Sequence, residues 1–137
     1  MSGQVTGAGR VVEAQLDVPA DLASVSSARQ FVRSELARNG LAEMTDVVVL
    51  LTSEVVTNAI RHAGSPCRVV MRISQESVRV EVTDGSTEPV HLRPGPPDAE
   101  SGRGLQLLDR LAGHWGTLDR AGGKSVWFDV RGPAGRP

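Results

Sequence analysis

From Val12 to Val18 apolar and polar residues alternate, Val12, Ala14, Leu16 and Val18 against Glu13, Gln15 and Asp17, the period of a strand with one buried face. Pro19 ends it. The period then lengthens. Leu22, Val25, Ala28, Val32 and Leu36 recur at helical spacing, with Asp21 placed to cap the start and Asn39-Gly40 to stop the end. A second helix is expected from about Ala42 to Ala63: Val47-Val48-Val49 favours a strand locally, but the length of the run and the Gly64 stop favour a helix. Cys67–Ser74 and Val78–Asp84, separated by Gln75-Glu76-Ser77, predict an antiparallel hairpin. A third helix is expected from about Arg103 to Ala112, with Leu105, Leu108 and Leu111 on one side. Strands near His114–Asp119 and Ser125–Val130 follow, joined through Ala121-Gly122-Gly123.

Between these elements lies a stretch, 85–101, that carries Pro89, Pro94, Pro96 and Pro97 and few apolar residues, so neither helix nor strand continues through it. Its length marks it as a lid or binding loop, or else a tolerated surface insertion. Residues 1–10 and 131–137 are rich in glycine, proline or small polar side chains and are expected to be mobile tails around one domain, 11–130. With 137 residues, 39% of them apolar, the chain has room for a single core.

Composition narrows the function classes. A formal charge of −1 gives no general attraction to phosphate backbones, and 3% aromatic residues are too few for a base-stacking platform, so direct nucleic-acid binding is not expected. No apolar run reaches the roughly 18–20 residues that cross a bilayer. The start, Met1-Ser2-Gly3-Gln4, lacks the basic and apolar regions of a signal peptide, and the expected location is the cytoplasm, with no membrane contact. One cysteine, Cys67, excludes an internal disulfide and any cysteine-rich zinc site.

Three places carry candidate chemistry. Glu54 and Asn58 stand four apart in the second helix and so share one face, although their neighbours Leu50, Leu51, Val55, Val56 and Ile60 are apolar. Burying such groups without partners costs roughly 2–7 kcal/mol, more when charged. At a cleft, Glu54 would orient or deprotonate a nucleophile and the Asn58 oxygen would coordinate a hard cation such as Mg²⁺; a solvated polar stripe fits the same spacing. Asp84 closes a strand, where a carboxylate can accept from a ligand amino group, and Asp84-Gly85 is also a common turn. Gly102-Arg103-Gly104 opens a helix whose free N–H groups suit phosphate oxygens, or is a plain turn. Gly123-Lys124-Ser125 resembles the end of a P-loop, but Leu118 stands where the earlier glycine is required and a strand follows, so that motif is rejected.

In order, Glu54-Val55-Val56-Thr57-Asn58-Ala59, Asp84-Gly85, Gly102-Arg103-Gly104-Leu105 and Gly123-Lys124-Ser125-Val126-Trp127-Phe128 resemble the GHKL ATPase superfamily, most closely the small bacterial anti-sigma-factor serine kinases and their actinobacterial relatives. The resemblance spans roughly 11–130. It implies an α+β two-layer sandwich of Bergerat type, with helices on one face of a mixed, mainly antiparallel sheet and ATP held under a lid at 85–101. By the same resemblance Glu54 is the general base, Asn58 the Mg²⁺ ligand and Asp84 the acceptor for the adenine amino group, followed by Gly85. Gly102, Arg103, Gly104 and Leu105 lie at the phosphates, and Ser125 stands where the family has a threonine near adenine. The first glycine box departs from DxGxG, with Ser86 and Glu88 at the glycine positions.

The implied activity is an ATP- and Mg²⁺-dependent serine/threonine kinase that phosphorylates a STAS-domain anti-anti-sigma protein and sequesters a sigma factor, often as a homodimer. The altered glycine box favours a rival of another class, a non-catalytic module that regulates a partner by association alone. A histidine-kinase catalytic domain is a weaker third, since no helix with a phosphoacceptor histidine precedes residue 11.

Overall fold

The computed structural model describes residues 3–6, 9–85 and 100–132, and side chains within 11–85 and 106–132. Six strands form one sheet: β1 (Gly3–Thr6), β2 (Gly9–Val18), β3 (Cys67–Ile73), β4 (Ser77–Asp84), β5 (His114–Arg120) and β6 (Gly123–Arg131), in spatial order β1-β2-β3-β4-β6-β5. All five pairings are antiparallel, so the mainly antiparallel sheet expected from the resemblance is wholly so among the described residues. The helices are α1 (Val25–Arg38), α2 (Thr45–Ala63) and α3 (Glu100–Leu111). This is an α+β two-layer sandwich.

Strand parity sorts the layers. Val69, Met71 and Ile73 of β3, Val78, Val80 and Val82 of β4, and Phe128 and Val130 of β6 are buried and pair in register on one face. They meet Val48, Leu51, Val55, Val56, Ala59 and Ile60 of α2 and Ala28, Val32 and Leu36 of α1 in a single core. The opposite face carries a charged ladder. Arg68 bonds Asp17 (2.7 Å), Arg79 bonds Asp129 (2.7 Å) while lying 4.4 Å over the Trp127 ring, and Arg120 bonds Glu81 (2.7 Å). The exposed members of these pairs contribute little stability each.

Local signals explain most boundaries. The Asp21 carboxylate accepts from the Ala23 N–H at 3.0 Å, capping a short 3₁₀ turn at Leu22–Ser24 that leads into α1. Leu22 belongs to that turn and is exposed, which removes it from the apolar face expected of it. Gly64 ends α2 in the left-handed region, φ 61°, with its N–H on the Ile60 carbonyl. In α3 the buried residue is Leu108, supported by half-buried Leu107, whereas Leu111 is exposed. The Trp115 indole N–H donates to Asp109 at 2.6 Å and ties α3 to β5. Gly3–Thr6, expected within a mobile tail, pairs as edge strand β1 with Gly9–Val12. Gly132 donates to the Glu76 carbonyl at 2.7 Å, and 133–137 lie outside the described residues. No helix among the described residues is long and apolar enough to cross a membrane.

Candidate functional site

On α2 the residues Glu54, Thr57 and Asn58 are half-buried and Arg61 is exposed, while Val55, Val56, Ala59 and Ile60 between them are buried. The sequence pattern therefore resolves into one polar stripe along the open side of a helix whose other side is core. Glu54 and Asn58 lie about 6 Å apart along the axis at 1.5 Å per residue, one above the other. Beside the stripe, the Arg29 guanidinium of α1 donates to the Ser53 hydroxyl through both Nε (3.1 Å) and Nη2 (2.9 Å). Sequence alone offered no role for Arg29, Arg33 and Arg38. The structure gives Arg29 the task of locking α1 to α2 one residue before Glu54, and Arg38 an ion pair with Glu35 at 3.0 Å.

Asp84 ends β4 and shares strand parity with Val80 and Val82, on the helix-bearing face. The segment after it is held from two sides. The Gly85 N–H donates to the Ser65 hydroxyl at 3.0 Å, tying the end of β4 to the loop that leaves α2. Gly123 of β6 lies so close that a Cβ there would run into the Asp84 carbonyl oxygen and stand 3.0 Å from the Asp84 carbonyl carbon. The buried Cys67 thiol, at the start of β3, is pushed up to about 11 by burial and by the negative charge of Asp84. That thiol is inert packing at neutral pH, in keeping with its position on a strand.

Ser125 is elsewhere. It pairs opposite Thr83, is fully buried, and shares the sheet face turned away from the helices with Thr83, Glu81 and Trp127. Its hydroxyl meets Thr83 Oγ1 at 2.6 Å and lies on the face that carries the Glu81 carboxylate. The structure therefore does not bring Ser125 to the face that carries Asp84, and the residue directly across from Asp84 is Lys124. A carry-over by one residue along a strand reverses the face, and only the register reveals which residue stands there.

Gly102, Arg103 and Gly104 fall inside the first turns of α3, which starts at Glu100 rather than near Arg103; their side chains and that of Leu105 lie outside the described residues. Of the expected lid, 85–101, only Gly85, Glu100 and Ser101 are described, so Ser86 and Glu88 lie outside as well.

Away from this face, Glu81 is a buried carboxylate. Burial pushes its pKa up, but the bond from Ser125, the bond from Arg120 and the charges of Arg120 and Arg72 outweigh it and hold the group below its ordinary value. A carboxylate depressed in the folded state adds stability above its unfolded pKa, about 4.3, and loses it as pH falls through the folded value. Thermal melts of Glu81→Gln against the parent protein are expected to show a deficit of about 2 kcal/mol at pH 7 that shrinks below pH 4. A deficit that does not change with pH would assign Glu81 a packing role only.

Residues 18–129 match the family described as "Histidine kinase-like ATPase domain". The chain belongs to that family. An uncharacterized protein of Streptomyces coelicolor is 37% identical to this histidine kinase-like ATPase domain over 90 residues, covering 62% of this chain and 83% of the relative.

Proposed function

We propose that this chain binds Mg–ATP and acts in the cytoplasm as a regulatory serine/threonine kinase of the anti-sigma type. In this reading Asp84 accepts from the adenine amino group, and the first turns of α3, which carry Gly102, Arg103, Gly104 and Leu105, lie at the phosphates. Glu54 takes the proton from a serine or threonine hydroxyl of a STAS-domain partner. The hydroxyl oxygen forms the new bond to the γ-phosphorus, the bridging bond to the β-phosphate breaks, and ADP leaves. Asn58 would hold the Mg²⁺, whose charge screens the phosphates. A half-buried amide oxygen one helical turn from a carboxylate is a donor set suited to a hard cation that keeps most of its coordination for phosphate and water. A sigma factor is the second proposed partner, bound in one nucleotide state of a homodimer and released in another.

One observation carries the reading: the helix bearing Glu54 and Asn58 leaves through a loop whose Ser65 is hydrogen-bonded to the residue after Asp84, which ties the C-terminal end of that helix to the end of β4. Family membership supports the same assignment. Calorimetric titration with ATP and ADP, with and without Mg²⁺, tests it. Magnesium-dependent ATP binding is expected, and Asp84→Asn should weaken it about 10–100-fold, the worth of a hydrogen bond to a charged group. The alternative, a non-catalytic module acting by association, is favoured by Ser86 and Glu88 at the glycine positions. It predicts partner binding with no phosphate transfer.

A further inference from the structure

Lys124 has no part in the site as read from sequence, yet its placement is unusual. It pairs with Asp84 on β4 and with Asp119 on β5, on the helix-bearing face of the sheet. Its relative exposure is 9%, low for a lysine. No hydrogen bond or ion pair engages its ammonium among the described residues, although an acid flanks it on each side. A largely buried lysine paired directly across from Asp84, on the same face of the sheet, is positioned as a donor toward whatever Asp84 faces.

We infer that Lys124 is a specificity-determining residue of the nucleotide site, donating to the ring nitrogen N1 of adenine next to the amino group accepted by Asp84. The inference rests on the nucleotide-binding reading above. Adenine presents a donor, the exocyclic N6 amino group, beside an acceptor, N1. A carboxylate beside an ammonium on neighbouring strands is the complement of that order. Guanine presents the reverse at the same two positions, a carbonyl oxygen and then an N–H, which would set an acceptor against Asp84 and a donor against Lys124. Mismatched polar groups in a partly dry site are left unpaired, and that discriminates more strongly than loss of contact area. Asp84 has lone pairs enough to accept from adenine while keeping its other interactions.

The test is titration of the full chain with ATP, GTP, inorganic tripolyphosphate and 1-deaza-ATP, in which a C–H replaces N1, for the parent protein, Lys124→Met and Lys124→Arg. The parent protein is expected to bind 1-deaza-ATP about 10–100-fold more weakly than ATP and to prefer ATP to GTP. Lys124→Met should lose a similar factor for ATP, bind ATP and 1-deaza-ATP alike, and leave tripolyphosphate unchanged, while Lys124→Arg retains part of the preference. Thermal melts identify a variant that has not folded, and the comparison of ATP with 1-deaza-ATP on the parent protein needs no variant. ATP binding that ignores both the N1 deletion and Lys124→Met overturns this inference alone. Equal loss for tripolyphosphate moves the ammonium to the phosphates, and a preference for GTP reverses the base edge; either result also overturns it. No binding of any nucleotide by the parent protein overturns the nucleotide site itself, and this inference with it.

Discussion

Glu54→Gln is expected to lower phosphate transfer from ATP about 10²–10⁴-fold, the range contributed by a positioned general base, while leaving ATP affinity within about twofold. The two side chains have nearly the same shape, but an amide cannot take the hydroxyl proton. The fold should tolerate the change. Glu54 is only half-buried, and its helix is fixed independently by the buried Val55 and Val56 and by the Arg29 bonds to Ser53. Single-turnover measurement with labelled ATP, with and without a STAS-domain acceptor, reads the rate, and titration reads the affinity. Equal loss of both would make Glu54 a binding group. Unchanged transfer would leave it a member of a solvated stripe.

Gly123→Ala is expected to unfold the Asp84 end of the sheet, lowering stability by about 3 kcal/mol and the melting temperature by roughly 10 °C, with nucleotide binding lost at temperatures where the core remains folded. The added Cβ meets backbone, the Asp84 carbonyl and the Gly85 Cα at 3.3 Å, and backbone held at the end of a ladder cannot step aside as a flexible side chain does. Both strands are pinned near that point, β4 by the Ser65 bond to Gly85 and β6 by its pairing with β5. Gly122→Ala provides a contrast of different origin: nothing lies within 4 Å of its Cβ, and its strain comes from a φ of 77°. If Gly123→Ala binds nucleotide as the parent does, Asp84 is not the acceptor.

Local chemistry carried much of the fold. The alternation of Val12–Val18, the Asp21 cap, the Gly64 stop and the apolar stripe of α2 are effects of neighbouring residues, so they were legible without the tertiary structure. Where the expectations moved, a long-range contact decided. Leu111 fits the helical period but is exposed, and Gly3–Thr6 has a tail's composition but finds a strand partner. Nothing in the residues around Arg29 marks it out, and only the packing of α1 on α2 sets it against Ser53.

The sequence by itself determined the order of the main elements from β2 onward, the pairing of Glu54 with Asn58 on one helix face, and the acid that ends β4, because each follows from residues a few positions apart. The tertiary structure decided which residues of β6 look toward that acid. Ser125 and Lys124 are adjacent in the chain and opposite in space. The β4–β6 register, set by burying Val80 against Phe128 and Val82 against Val126, turns the serine to Glu81 and leaves the lysine beside Asp84.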